Sequence, residues 1–149
     1  MGANEKYTNK QNAARIALGL MLITAGTGHL SFARKEFQAQ VPDWVPLDKD
    51  TTVLLSGVAE IALGASIIAL KKKRVPVGIF AAAFFAAVFP GNVAQYKNRI
   101  DAFGLDTDEK RLARLFGQPL LIAWALYGSG VSAKKSKEDE DKFFGISNK

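Results

Sequence analysis

The sequence predicts an all-helical protein, an integral-membrane four-helix bundle. Its 149 residues make room for one domain, and 48% of them are apolar while 23% are charged. The charges gather in short clusters and at the two ends of the chain, which leaves four stretches of 18 to 22 residues almost free of them. A helix needs about 20 apolar residues to cross a bilayer, whereas a soluble bundle would carry a charged stripe along each helix.

The four apolar stretches define the four predicted helices, at 16–33, 51–70, 75–96 and 115–133. Alanine, leucine and glycine are frequent in them, which favours closely packed helices over strands. The first stretch is longer than the apolar part of a signal peptide and precedes a poor cleavage site, so we predict that it is retained. With their flanks, we expect helices over about 13–33, 51–70, 75–96 and 113–133, within a transmembrane domain of residues 13–133.

The distribution of lysine and arginine predicts how the helices are oriented. Twelve of these residues lie in or beside the two tails and in the KKKR connector 71–74, against eight in the two loops on the opposite side. Because basic residues concentrate in the cytoplasm, we expect residues 1–12 and the charged residues 134–149 to be cytoplasmic tails. The net charge of +6 then suits anionic lipid headgroups and requires no nucleic acid.

The residue types that the chain lacks exclude several kinds of chemistry. There is no cysteine, which excludes disulfides, thiol redox motifs, iron–sulfur clusters and covalently attached haem. A single histidine excludes a metal site built on several imidazoles, so no metal is expected. We therefore expect no intrinsic cofactor.

Polar residues inside the apolar stretches mark the predicted site, because a polar group in hydrocarbon costs free energy and is retained for a reason. At about 1.5 Å per residue, one such residue from each helix falls in the outer half of the membrane. Arg114 lies four residues before Gln118, the polar residue of the fourth helix, and shares its helix face. We predict a ligand-binding pocket formed by His29, Glu60, Asn92, Arg114 and Gln118, and we assign no catalytic residue.

Two prolines near these residues predict distorted helices around the pocket. Pro90 removes a backbone donor and frees the carbonyl of Ala86, while Pro119 follows the predicted start of the fourth helix. Glycines on the faces of the predicted site residues, such as Gly26 and Gly57, allow neighbouring backbones to approach closely. An outer vestibule is the expected result.

The same polar residues also fit a plain structural role. Asn92 and Gln118 suit hydrogen bonds across helices, and Arg114 suits an ordinary position at the membrane surface. Glu60 is harder to explain in this way, since a carboxyl group in hydrocarbon must be protonated, hydrated or paired with His29 or an arginine. Trp44, between two prolines of the first loop, is expected to anchor at the membrane surface.

With these motifs in order, the chain resembles the DoxX family of small bacterial four-helix membrane proteins. The resemblance covers roughly residues 13–127. It is carried by GLMLITAGTGHL in the first helix, the loop VPDWVP, LSGVAEIALGASII in the second helix, VFPGNV closing the third and RLFGQPLLIAWALY in the fourth.

The resemblance implies a protein of the bacterial cytoplasmic (inner) membrane with the same site residues, Pro90 included. Some members of that family are similar to quinone-reducing thiosulfate oxidoreductase subunits, and others are linked to membrane-bound oxidant-defence complexes. Because this chain has no cysteine, a sulfur relay would require a partner subunit.

Three functions remain open from the sequence. The first is an accessory or small-molecule-binding subunit of a membrane oxidoreductase system, with a quinone or similar lipid-like ligand in the outer pocket. The second is a non-enzymatic membrane scaffold or assembly protein. The third, a small proton-coupled transporter, is weakened because the inner half of the helices offers no comparable polar path. The expected partners are the bilayer and either an oxidoreductase subunit or a second copy of the chain, and whether the chain is an enzyme stays open.

Overall fold

The computed structural model describes residues 7–131, so residues 1–6 and 132–149, with most of the predicted tails, lie outside the described residues. Within 7–131 the chain is all-helical and contains no strand, which confirms the predicted class for that part. A single 3₁₀ turn, Lys71–Lys73, joins the third helix to the fourth. The helices are α1 (Asn9–Leu30), α2 (Arg34–Gln38), α3 (Lys49–Ala69), α4 (Arg74–Lys97) and α5 (Asp108–Ser129).

Polar caps set the starts of three long helices. Thr8 forms a capping box with Gln11, and the side chains of Asp48 and Thr107 accept the capping hydrogen bonds of α3 and α5. These caps lie outside the apolar stretches, so α1 begins four residues and α5 five residues before the starts expected from hydropathy. α5 ends before Gly130, whose φ of 79° is the left-handed conformation that glycine favours.

Three helical segments are long and apolar enough to cross a membrane: α1, α3 and the segment Lys71–Lys97 that contains α4. α5 is not among them, because charged residues occupy five of its first seven positions and the apolar part that follows contains Gln118 and Pro119. The sequence predicted four spans, and length and composition support three of them within the described residues. The charged residues of α5 are Asp108, Glu109, Lys110, Arg111 and Arg114.

The four long helices form two pairs, α1 with α3 and α4 with α5, which meet through α1 and α5. Glycines bring α1 and α3 close together. A methyl group added to Gly26 would lie 2.6 Å from the carbonyl oxygen of Gly57, and one added to Gly64 would lie 2.5 Å from that of Gly19. Each helix therefore contributes two glycines seven residues apart, and any side chain at these positions would push the backbones apart.

The buried residues follow a helical spacing of three and four along each helix, with an apolar centre and polar ends. The apolar core is Leu18, Leu22, Ile67, Ala81, Phe85 and Ala125. Buried polar residues lie on both sides of this core. We call the side with His29, Glu60, Asn92 and Gln118 the His29 end, and the side with Gln11, Arg15, Arg74 and Ser129 the Arg15 end.

α3 and α4 are joined by a short connection at the Arg15 end, yet they pack on each other only slightly. Both helices instead make their main contacts with α1 and α5. The two helices consequently leave a gap at the His29 end, and this gap contains the candidate site.

Candidate functional site

A cavity of about 240 Å³ lies at the His29 end, between the helices and the first loop. All five residues predicted as ligand-binding line it: His29, Glu60, Asn92, Arg114 and Gln118. Most of the remaining wall is apolar, which is typical of sites for small organic ligands. The apolar and aromatic wall residues include Phe37, Val41, Val45, Val53, Phe85, Val88 and Leu121.

His29 and Glu60 face each other across the α1–α3 contact. The Nδ1 of His29 and the Oε2 of Glu60 are 2.8 Å apart, a distance typical of an ion pair if the imidazole is protonated. Neither atom has a hydrogen bond of regular geometry within the described residues. Both residues are buried, with 6% and 8% of their surfaces exposed. The pair therefore has unused hydrogen-bonding capacity inside an apolar cavity.

Asn92, Arg114 and Gln118 form a hydrogen-bonded chain between α4 and α5. The Nε of Arg114 donates to Oδ1 of Asn92 over 3.1 Å, and Nδ2 of Asn92 donates to Oε1 of Gln118 over 3.0 Å. The Nε2 of Gln118 then donates to the backbone carbonyl of Phe85. These amide groups bond to one another in the way that a structural role requires.

Two glutamines that the sequence analysis missed extend this chain. Gln40 accepts from Nη2 of Arg114 over 3.3 Å and donates to Oε1 of Gln95 over 2.8 Å. Gln95 is 1% exposed and lies three residues after Asn92, so helical spacing could have identified it. Gln40 lies in the first loop, and its position depends on how that loop crosses α4 at Gly91. A methyl group on Gly91 would lie 2.8 Å from the backbone oxygen of Gln40.

The two prolines take different positions relative to the cavity. Pro90 lies inside α4 and lines the cavity as predicted. Pro119 lies inside α5, is exposed and does not line it. Because α5 begins earlier than expected, Gln118 and Pro119 lie about three turns into the helix and not in its first turn. The carbonyl that receives the Gln118 amide is that of Phe85, next to the carbonyl of Ala86 that the sequence singled out.

An aromatic layer covers the site from α2 and the loop 98–107, which we call the cap. The ring of Phe37 packs edge-on against the imidazole of His29 and also meets Phe103, with ring centroids 4.6 Å apart. The guanidinium of Arg114 lies over the Phe103 ring, 5.0 Å from its centroid. Glu36 accepts a hydrogen bond of 2.8 Å from the backbone N–H of Phe103, which ties the two halves of the cap together.

α2 is fixed to the start of α3 by ionic hydrogen bonds. The Nε of Arg34 and the Nε2 of Gln38 both donate to Oδ1 of Asp50, each over 2.6 Å. The hydrogen bond to Asp50 raises the pKa of Arg34 above its usual value. Because α2 follows α1 by only a short turn, this anchor holds Phe37 over His29.

Residues 18–128 match a family described as a domain of unknown function, DUF8561. The chain belongs to this family. No curated protein and no solved structure matches it. The matched DUF8561 segment contains every predicted site residue and the whole cap, whereas Arg15 precedes it.

The DUF8561 domain of this chain thus combines a mostly apolar cavity with one acid–base pair. The described residues hold no group of three or more histidine, aspartate or glutamate side chains arranged for a metal. Among residues 7–131, only His29 and Glu60 present buried side-chain polar atoms without regular hydrogen bonds at this end. The arrangement suits an organic ligand with hydrogen-bonding oxygens, and the pair can donate, accept or hold a proton there.

Proposed function

We propose that this DUF8561 protein is an integral membrane protein whose four long helices cross a bacterial cytoplasmic membrane, and which binds a quinone-class molecule in the cavity at the His29 end. The insertion is supported by the three apolar segments of sufficient length. It is further supported by large apolar side chains exposed on every long helix, α5 included. Examples are Leu20, Leu55, Phe80, Phe116 and Leu120, which are 55% to 75% exposed.

In this proposal both termini lie in the cytoplasm and the cavity opens in the outer half of the bilayer. The Arg15 end carries the exposed run Lys71–Lys73 just before Arg74, and basic connectors of this kind concentrate on the cytoplasmic side. The His29 end carries the cap and an equal mixture of acidic and basic residues. The excess of basic over acidic residues at the Arg15 end supports this orientation.

One observation carries the choice of ligand: the buried atoms of His29 and Glu60 lack regular hydrogen bonds and lie in a mostly apolar cavity. Burial of a polar atom without a regular hydrogen bond costs free energy, so a ligand that supplies such a bond is favoured. A quinone offers two carbonyl oxygens on a flat apolar ring, and it supplies two-electron, two-proton redox chemistry when bound. His29 and Glu60 would hold its oxygens and the protons, while electrons would come from a partner subunit.

The route into the cavity also favours a lipid-soluble ligand. The weak contact between α3 and α4 leaves the cavity open on the side that would face lipid. Ala87 and Val88 of α4 line the cavity with apolar side chains. A ligand dissolved in the bilayer would therefore reach Glu60 without crossing the aromatic cap.

The sequence resemblance to DoxX proteins supports a role as an accessory or ligand-binding subunit of a membrane oxidoreductase system. A membrane scaffold without a ligand is the second candidate. It is favoured by the completed chain of Arg114, Asn92 and Gln118, which would stabilise a bundle with no ligand present. The two candidates differ in what they require of His29 and Glu60.

The two tryptophans allow a direct binding test. Trp44 lines the cavity, whereas Trp124 lies at the Arg15 end, where its Nε1 donates to the carbonyl of Ala14. In a Trp124→Phe protein, a short-chain ubiquinone analogue should therefore quench the fluorescence of Trp44 and reach saturation. Decanol, which has a chain but no quinone ring, serves as the control ligand.

Adding Glu60→Gln or His29→Gln to this protein should abolish the saturable quenching. Ser66→Ala should retain it, because that hydroxyl bonds only within α3 and does not line the cavity. Circular dichroism would verify that each variant is folded. Quenching that never saturates, or that is identical in folded Glu60→Gln and His29→Gln proteins, would support the scaffold and refute the quinone site.

A further inference from the structure

Two arginines are buried at the Arg15 end, opposite the cavity of the proposed function. Arg15 on α1 is 4% exposed and Arg74 at the start of α4 is 6% exposed. Both line one small cavity of about 10 Å³, which is about the volume that a single water molecule needs. From the sequence, Arg15 and Arg74 are flanking charges, whereas the structure buries both of them inside the bundle.

The partners of Arg15 are all neutral. Its Nη1 donates to the carbonyl oxygens of Ile67 and, over 2.9 Å, Ile68 at the end of α3. The Nε of Arg15 is buried and has no hydrogen-bond partner among residues 7–131. One donor of a fully charged group is therefore left unused.

Arg74 has the same kind of surroundings. Its Nη1 donates to Oδ1 of Asn12 over 2.7 Å, and its Nη2 donates to the carbonyl oxygen of Gly128 over 2.6 Å. The ring of Tyr7 lies 3.8 Å from the guanidinium carbon. The Nε of Arg74 is likewise buried without a partner in the described part of the chain.

No acidic side chain of the described residues balances these two charges. Residues 7–35, 61–100 and 110–131 contain no aspartate or glutamate, and neither arginine forms an ion pair within 7–131. Lys10 and the exposed run Lys71–Lys73 add further positive charge at this end. A buried cation without a counter-ion is unfavourable, so the geometry calls for an anion.

We propose that Arg15 and Arg74 bind the phosphate group of an anionic phospholipid in the cytoplasmic leaflet. The cavity admits one oxygen atom of the phosphate between the two side chains, and the rest of the headgroup stays at the mouth beside Lys71–Lys73. Basic pockets between helices at the cytoplasmic surface are suited to such headgroups. The inference shares with the proposed function only the insertion of the helices and does not require a quinone.

The test measures how added lipid raises the unfolding temperature of the full-length protein in a non-ionic detergent. Phosphatidylglycerol should stabilise the protein, and diacylglycerol with the same chains should not. Arg15→Gln and Arg74→Gln should need about ten-fold or more lipid for the same effect, because each removes a charge-assisted hydrogen bond. Lys72→Gln removes one exposed charge at the same end and should respond like the wild type.

Further arms distinguish the sources of the anion. Arg74→Lys keeps the positive charge but removes the Nε donor, so we expect a lipid response between those of the wild type and Arg74→Gln. This variant still tests the proposal if Arg74→Gln fails to fold. Equal stabilisation by diacylglycerol and phosphatidylglycerol would overturn the proposal, and so would a full response in folded Arg15→Gln and Arg74→Gln. If inorganic phosphate alone raises the unfolding temperature by the full amount, the site binds the free ion and the lipid source is refuted.

The acidic residues outside the described part of the chain are tested in the same way. If phosphatidylglycerol acts only after these five residues are neutralised, the counter-ion belongs to the chain itself and the lipid proposal is wrong. Glu60→Gln changes a residue that the quinone site requires, yet it should leave the lipid response unchanged, so the two proposals fail separately. The neutralising substitutions are Glu5→Gln, Glu138→Gln, Asp139→Asn, Glu140→Gln and Asp141→Asn.

Discussion

Gly57 lies directly against His29, and its missing side chain is what allows the imidazole to approach Glu60. A methyl group at Gly57 would lie 2.7 Å from the Cβ of His29, closer than two carbon atoms can pack. Glu60 follows Gly57 by three residues and so lies one turn along the same face of α3. The helix contact and the candidate site therefore depend on the same glycine.

Gly57→Ala should weaken ligand binding and the fold together, because α1 must move away from α3. We expect quinone affinity to fall about ten-fold or more, and the free energy of unfolding to fall by about 1–3 kcal/mol, as for other overpacked contacts. Titration of Trp44 fluorescence and denaturant unfolding would measure the two effects. Gly117→Ala is the matched control, since a methyl group there meets nothing within 4 Å. Equal behaviour of both alanine variants would contradict this role of Gly57.

Glu60→Gln should separate binding from stability. The substitution keeps the shape of the side chain and leaves a neutral amide oxygen that can accept a hydrogen bond from His29, so the free energy of unfolding should fall by no more than about 1.5 kcal/mol, the worth of one hydrogen bond. Quinone binding should be lost, because the acid–base pair with His29 is lost. A large loss of stability with no effect on binding would mean that Glu60 is only structural.

Asn92→Leu should show the opposite pattern, a loss of stability without a loss of quinone binding. It leaves the Nε of Arg114 and the Oε1 of Gln118 without partners, and each such buried group costs about 1–3 kcal/mol. We expect the free energy of unfolding to fall by about 2–4 kcal/mol, measured by denaturation in detergent. Asn98→Leu, at an exposed position just after the same helix, should have little effect. Undiminished stability of Asn92→Leu would show that the amide chain does not hold α4 to α5.

Gly91→Ala should displace the first loop from α4. The added methyl group would meet the backbone oxygen of Gln40, so the bond from Gln40 to Gln95 should break. Amide hydrogen exchange should accelerate in the loop 39–47 and remain unchanged in α1. Exchange in the loop that matches the wild type would show that Gly91 is not needed for the crossing.

The sequence could predict the helices and the polar residues that meet at the His29 end, because hydropathy and the helical repeat are local properties. His29, Glu60, Asn92 and Gln118 each lie on the buried face of a separate helix, and the helix connections alone bring them to one side. Their partners were harder to foresee. Whether Asn92 bonds to Gln118 or to a ligand depends on side-chain packing between helices.

The first loop and the Arg15 end contain contacts that were not predicted from the sequence. Gln40 lies in a loop whose path is set by contact with Gly91, and no repeat in the sequence encodes that contact. Arg15 could have been found, since it lies seven residues before Leu22 and so shares its buried face. The positive charge of Arg15, however, is also typical of a residue beside a membrane span, and this predicts an exposed position. The N-terminal capping residues of α1 and α5 were missed for a related reason, because they are polar residues outside the apolar stretches.

If a quinone occupies the cavity, His29 should hydrogen-bond one of its carbonyl oxygens, and infrared difference spectroscopy detects such a bond. A quinone labelled with ¹³C at its carbonyl carbons would be bound to the purified protein. We expect a carbonyl band at lower frequency than in detergent alone, which disappears in His29→Gln and persists in Ser66→Ala. A band that matches the detergent spectrum, or that is the same in folded His29→Gln, would contradict it.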